Sequence, residues 1–235
     1  SMNSVLILGA SSGIGRALAK HYSAQGARVV AISRSKAAEQ SEYIWLVDSL
    51  QTEQDSEKVM AQALLMAPEI IFICHGVLHD DAAMPEKTLR QLDTGILLQR
   101  LYSNLVVPAH YLKILLSYLT KKPAVKVLVL SAKVGSIGDN RLGGWYSYRV
   151  SKAALNMLVK NVAIEVGRLN KTASIVSVHP GTTDTLLSQP FQSNLPPGQL
   201  QSCDSTALRL SLVASNLTAA QSGALLNWDG TELPF

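Results

Sequence analysis

Cysteine is almost missing from this chain: Cys74 and Cys203 are the only two in 235 residues. Two thiols make neither a disulfide framework nor a zinc site, so both are read as reduced and no metal is expected. Charge is sparse too, at 16% of residues, and the net +4 is scattered. The one basic pair, Lys121-Lys122, stands before Pro123 at what reads as a solvated helix end. That excludes the basic stripe of a nucleic-acid-binding protein. No apolar run reaches the ~20 residues a membrane helix needs. No secretory leader is expected at the start. The expectation is a cytoplasmic protein that has no nucleic-acid or membrane partner. Repeats are absent, and a chain of this length in the α/β class is routinely one domain. A single domain over 1–235 is therefore expected, with an ample core.

What is present is an alternation of strand and helix signals. Strands are expected at Val5–Leu8, Arg28–Ile32, Tyr43–Val47, Ile70–Cys74, Val125–Leu130, Ala173–Val178 and Ala224–Asn227. Helices are expected at Ile14–Gln25, Glu53–Met66, Thr94–Leu119, Tyr146–Arg168 and Asp204–Ser215. Such alternation implies an α/β fold, a doubly wound parallel sheet of the Rossmann kind with helices on both faces.

Straight after the first apolar run comes Gly9-Ala10-Ser11-Ser12-Gly13-Ile14-Gly15. This loop lies between a strand and a helix N-terminus. Unpaired N–H groups and the positive end of the helix dipole meet there, which suits phosphate. Glycine lets the backbone turn sharply and approach a ligand. The spacing is G-x-x-x-G-x-G rather than the commoner G-x-G-x-x-G. By itself, an ordinary β–α turn would read the same way.

The second strand lacks an acid at its end. A carboxylate there, roughly 20 positions past the glycines, would bind a ribose 2′-hydroxyl, whereas arginine suits a 2′-phosphate. The chain has Ser33-Arg34-Ser35-Lys36. Arg34 thus favours NADP(H) over NAD(H), although a solvated basic loop is a common alternative.

Tyr148 and Lys152 stand four residues apart, on one face of an expected helix. A free phenol titrates near 10 and is a poor proton donor or acceptor at neutral pH. A neighbouring ammonium stabilises the phenolate, as would an oxidised nicotinamide. Lowering the phenol by about 3 units takes about 4 kcal/mol. So tuned, it would give a proton to a carbonyl or take one from an alcohol. An interfacial tyrosine beside a surface lysine is the plainer alternative.

These residues, in this order, resemble the short-chain dehydrogenase/reductase family over essentially the whole chain. Within it, Gly135-Ser136-Ile137, Trp145-Tyr146-Ser147-Tyr148-Arg149 and the tail Asp229-Gly230-Thr231-Glu232-Leu233-Pro234-Phe235 resemble the C-factor and sniffer-type carbonyl reductases. The resemblance implies that Asn104 is the active-site asparagine that holds a relay water near the lysine. It implies that Asp48 contacts adenine. It implies that Pro180-Gly181-Thr182-Thr183-Asp184-Thr185 forms the turn whose backbone near Thr183 meets the carboxamide. The Thr185 hydroxyl would then meet the cofactor phosphates or amide. Lys152 would also bind the nicotinamide ribose, and Gly76 would serve the cofactor through its backbone. Members commonly pair into dimers or tetramers through two long helices, here Thr94–Leu119 and Tyr146–Arg168. Leu97, Leu98, Leu101 and Leu112 fit that role or a place in the core.

Two departures from the family pattern stand out. Ile73-Cys74-His75-Gly76 replaces the usual N-N-A-G, and His75 is read as a packed or solvated side chain. At the fifth strand's end, Ala132 occupies the place of the substrate-polarising serine. Either Ser131 takes over, despite pointing the other way by strand alternation, or Ser136 reaches in, or no hydroxyl is used. Ser131 is carried forward as the candidate. The proline-rich stretch 186–203 is expected to cover the substrate, and its Leu186, Leu187, Phe191 and Leu195 point to an apolar one, although a mobile connector is the plainer alternative. The expected activity is an NADP(H)-dependent oxidoreductase acting on a small carbonyl or alcohol. The competing expectation is a nucleotide-binding regulator with little turnover.

Overall fold

The computed structural model describes residues 3–35, 42–76, 83–183, 192–193 and 195–235. Its strands are β1 (Ser4–Leu8), β2 (Arg28–Ser33), β3 (Ile44–Val47), β4 (Ile70–Ile73), β5 (Lys126–Leu130), β6 (Ser174–Val178), β7 (Leu225–Leu226) and β8 (Glu232–Leu233). They form one sheet in the order β3-β2-β1-β4-β5-β6-β7-β8. Every pairing is parallel except β7 with β8. β1, β2, β4 and β6 are almost wholly buried and run in register, Leu6 beside Val30 and Ile71. Continuous apolar strands of this kind need helices on both faces.

Those helices are α1 (Gly13–Ala24), α2 (Glu53–Leu64), α3 (Thr94–Leu101), α4 (Val107–Leu119), α5 (Tyr146–Leu169) and α6 (Cys203–Asn216). On one face, α1 and α6 bury Leu18, Tyr22, Leu210 and Val213 against Ile7, Phe72 and Val176. On the other, α2, α4 and α5 bury Met60, Leu112, Leu115, Leu155 and Val159 against Leu6, Ile71 and Val127. Alternate residues of each strand thus feed opposite cores. The chain order reverses between β1 and β4, and at such a switch point a crevice opens beyond the carboxyl ends of the strands.

Two expectations are corrected here. Thr94–Leu119 is not one continuous helix: a π-turn at Tyr102–Val106 separates α3 from α4, and the Val107 N–H bonds back to the Tyr102 carbonyl. Pro108 supplies the reason. It has no N–H for the Asn104 carbonyl, and its ring would clash there, so the ladder loosens by one residue. The C-terminal tail also adds β8, which hairpins back through Asn227, whose N–H bonds the Thr231 carbonyl. Asp229 braces that turn through the Thr231 N–H and hydroxyl. Of the leucines considered for subunit contact, Leu112 is in the core and Leu98 is exposed. Among the described residues, no helix is long and apolar enough to cross a membrane.

Candidate active site

The loop after β1 is built as its residues dictate. Gly9 adopts φ +75, and a Cβ there would press on the Cys74 backbone and the His75 ring at 3.1 Å. Gly15 has even less room, since its Cβ would lie 2.6 Å from the Gly9 carbonyl oxygen. Ser12 caps α1, its hydroxyl accepting from the Gly15 N–H at 3.0 Å. Gly13 opens α1, and Ser11 and Gly13 are exposed. Nothing but hydrogen is tolerated at Gly9 and Gly15, and the helix's positive end is left facing out.

Gly9, Ser11 and Ser12 line a cavity of about 200 Å³ together with Ser33, Arg34, Leu50, His75, Gly76, Tyr102 and Tyr111. Arg34 is exposed at its edge. Asp48 is not on this wall. Its carboxylate is buried and accepts from the Leu50 N–H at 3.0 Å and the Tyr111 hydroxyl at 2.7 Å. His75 stacks on Tyr111, with centroids 5.6 Å apart. Its Nδ1 is buried and has no hydrogen-bond partner among the described residues. Burial and the Lys152 ammonium hold the imidazole down at about 4, so it is neutral.

A second cavity, of about 440 Å³, adjoins the other end of the loop at Ile14. Ala132, Val134, Leu142, Trp145, Tyr148, His179 and the turn Pro180–Thr183 line it. Tyr148 and Lys152 project from the same face of α5, with the lysine Nζ 5.8 Å from the phenol ring centroid. Both are buried. Lys152 donates to the Leu130 carbonyl at 3.1 Å and the His75 carbonyl at 3.4 Å. Gly76 leaves space for it, because a Cβ there would stand 3.0 Å from Nζ. Asn104 is fully buried within the π-turn and donates to the Ser151 hydroxyl at 3.0 Å.

One electrostatic expectation is corrected. Burial raises the Tyr148 phenol rather than lowering it, while burial pulls Lys152 down to about 8. The lysine's named hydrogen bonds go to two carbonyls, and desolvation penalises the phenolate more than an ammonium beyond the ring relieves it. The phenol therefore keeps its proton at neutral pH.

Other predicted residues fall as follows. Ser131 lines the second cavity, but its hydroxyl donates to Asn156 Oδ1 at 2.6 Å. Ser136 is buried, its hydroxyl accepting from the Asp139 N–H at 3.1 Å. Gly181, at φ +80, packs on Trp228, where a Cβ would meet the indole at 3.1 Å. The Thr183 hydroxyl bonds that of Thr206 at 2.7 Å, tying the turn to α6. Leu195 lines the cavity, whereas Lys36, Asp184, Thr185, Leu186, Leu187 and Phe191 lie outside the described residues.

Sequence reasoning missed four contributors. Glu86 is buried and accepts from the Ser147 N–H and hydroxyl at the start of α5. Trp145 enters that helix at φ +51, its N–H bonding the Glu86 carbonyl at 2.6 Å. Arg149 reaches the Val134 carbonyl, and His179 accepts from the Lys133 N–H. Only the aromatic and basic residues flanking Tyr148 offered any signal.

The short chain dehydrogenase pattern matches residues 3–196. The chain belongs to that family. A Rhodococcus sp. (strain AD45) 1-hydroxy-2-glutathionyl-2-methyl-3-butene dehydrogenase is 27% identical over 236 residues, covering 100% of both chains. Among solved structures, the carbonyl reductase Sniffer of D. melanogaster superposes with a TM-score of 0.83 at 23% identity, covering 100% of each chain. An NADPH-bound carbonyl reductase from chicken fatty liver gives the same TM-score at 22% identity, covering 100% of this chain and 94% of that one. At these identities, the two superpositions speak to the fold. As a family member, the chain is an oxidoreductase by descent, and the paired cavities are where its chemistry is to be sought.

Proposed function

We propose that this protein is an NADP(H)-dependent carbonyl reductase or alcohol dehydrogenase. The observation that carries the proposal is the Tyr148–Lys152 pair, buried on one face of α5, with the phenol on the wall of a largely apolar cavity. The residues fit a dinucleotide. Gly9, Ser11 and Ser12 line the first cavity beside the N-terminus of α1, and Arg34 stands at its edge where a 2′-phosphate would lie. Bound there, the cofactor supplies or accepts hydride. Gly9, Ser11, Ser12, Gly13, Ile14 and Gly15 would hold its phosphates, and Gly76 and the Pro180–Thr183 backbone its nicotinamide end.

The protein's own part is proton handling. Tyr148 keeps its proton at neutral pH and gives it to the substrate oxygen. The buried Lys152 ammonium then stabilises the phenolate and holds the ribose. Asn104, frozen in the π-turn beside Ser151, supports the relay that restores the proton. Val134, Leu142 and Trp145 in the cavity wall favour an apolar substrate. A homo-oligomer through α3–α5 accords with the exposed Leu98, Tyr102 and Val106 beside Val150, Met157 and Ile164.

The second reading is an NADP(H)-binding regulator. It draws on Ala132, which offers no hydroxyl, and on Ser131, whose hydroxyl donates to Asn156. A panel of apolar ketones, aldehydes and diketones with NADPH separates the two. The reductase reading expects robust turnover that falls about a hundredfold or more in Tyr148→Phe, with NADPH affinity near that of the parent. Absence of turnover alongside tight NADPH binding would favour the regulator.

A further inference from the structure

The end of β5 lacks a free hydroxyl aimed at a substrate oxygen. Ala132 has none, the Ser131 hydroxyl donates to Asn156, and Ser136, whose hydroxyl accepts from the Asp139 N–H, is not among the described residues that line the cavity. Yet charge developing on a carbonyl oxygen gains most from a fixed donor in a dry site. The neighbouring strand provides one. β6 pairs with β5 through Leu130 and Val178, and the Ser131 N–H bonds the Val178 carbonyl at 2.8 Å. The next residue, His179, lines the same cavity as Ala132 and Tyr148.

The ring's protonation is fixed by its surroundings. Nδ1 accepts from the Lys133 N–H at 3.1 Å. An accepting imidazole nitrogen carries no hydrogen, so the neutral ring bears its proton on Nε2. Burial, then the Lys133 ammonium, lowers this histidine to about 4, and it stays neutral across the physiological range. Nε2 makes no hydrogen bond with the described residues.

Resting on the reductase reading, we infer that His179 donates its Nε2–H to the substrate's carbonyl oxygen, in place of the hydroxyl absent at Ala132. His179 keeps this proton throughout, and the proton transferred is that of Tyr148. The Lys133 N–H fixes the tautomer and the ring's orientation.

The test uses benzil, an apolar diketone, with NADPH. His179→Asn retains an acceptor for the Lys133 N–H and removes the distal donor. His179→Gln places an N–H near the lost Nε2. In His179→Asn, kcat/KM should fall about thirtyfold to a hundredfold, with NADPH affinity by fluorescence within about twofold of the parent. His179→Gln should retain most of the rate. Adding Ala132→Ser to His179→Asn should restore rate by at least about tenfold, more than Ala132→Ser gains in the parent background. A merely structural histidine would not be rescued by a hydroxyl on another strand. Full rate in His179→Asn, or a loss that neither His179→Gln nor Ala132→Ser relieves, overturns the inference and leaves the reductase reading standing. A parent protein without turnover on benzil or on the wider carbonyl panel overturns both.

Discussion

A β-carbon on Gly76 would stand 3.0 Å from the Lys152 Nζ, so this glycine sets the room in which the buried ammonium sits. The link spans α5 and the end of β4. Gly76→Ala should push the lysine out of its hold on the Leu130 and His75 carbonyls. Turnover and NADPH affinity should then fall together, each by roughly tenfold, because one side chain serves the phenol and the ribose. Fluorescence titration and steady-state rates check this. An unchanged dissociation constant would place the lysine away from the cofactor.

Under the proposed function, Arg34 should decide between cofactors. Its exposed guanidinium borders the first cavity, and the strand end carries no acid. A charge-assisted bond to a 2′-phosphate is worth about 1.5–3 kcal/mol. Arg34→Ala should therefore weaken NADPH by roughly tenfold to a hundredfold and leave NADH almost unmoved. Equal affinity of the parent protein for both would sink this assignment.

The Tyr111 hydroxyl secures Asp48 across 63 residues of sequence, at 2.7 Å and out of water. Burial and the neighbouring carboxylate both raise that phenol, so it stays a donor. Tyr111→Phe leaves the buried Asp48 carboxylate with the Leu50 N–H as its one hydrogen-bond donor among the described residues. The expected cost is about 2 kcal/mol, or roughly 4–8 °C in Tm for a chain of this size. Urea and thermal unfolding measure it. A change below about 0.5 kcal/mol would mean that water or a rearranged partner replaces the phenol.

Much of this molecule is legible in its sequence, because periodicity and turn chemistry are local. The ends of α1, α5 and α6 fall within about two residues of expectation, since Ser12 and Ser202 cap α1 and α6 where their side chains predict. β8 was not, because a two-residue strand carries no period and depends on a turn braced by Asp229. The π-turn needed Pro108 to be read for its effect four residues back. At the site, spacing places Tyr148 with Lys152, but no spacing tells that the Ser131 hydroxyl turns to Asn156 or that His179 meets Lys133. Those partners come from packing between distant segments. Desolvation hides equally well, which is why the shift of Tyr148 came out opposite in sign.

Lys152 gives the clearest pH signature. Its ordinary value in an unfolded chain is about 10.4, and burial brings it to about 8 in the folded protein. Both states are protonated below 8, and the folded state there bears the full cost of a buried ammonium. Between about 8 and 10.4 the folded protein gives up the proton first, so this group's contribution to stability rises with pH. The service to the cofactor proposed for it should run the other way, because a neutral amine would hold ribose and phenolate less well. His75 and His179, both near 4, and the raised Tyr148 stay out of this window. NADPH affinity should therefore weaken as pH passes through about 8. Lys152→Met should bind weakly at all pH values without that step, and its stability advantage at pH 7 should shrink toward pH 10. Parallel titrations and urea melts at pH 7, 8, 9 and 10 measure both trends. If NADPH affinity stays flat in the parent protein from pH 7 to 10, the lysine's charge is not what holds the cofactor.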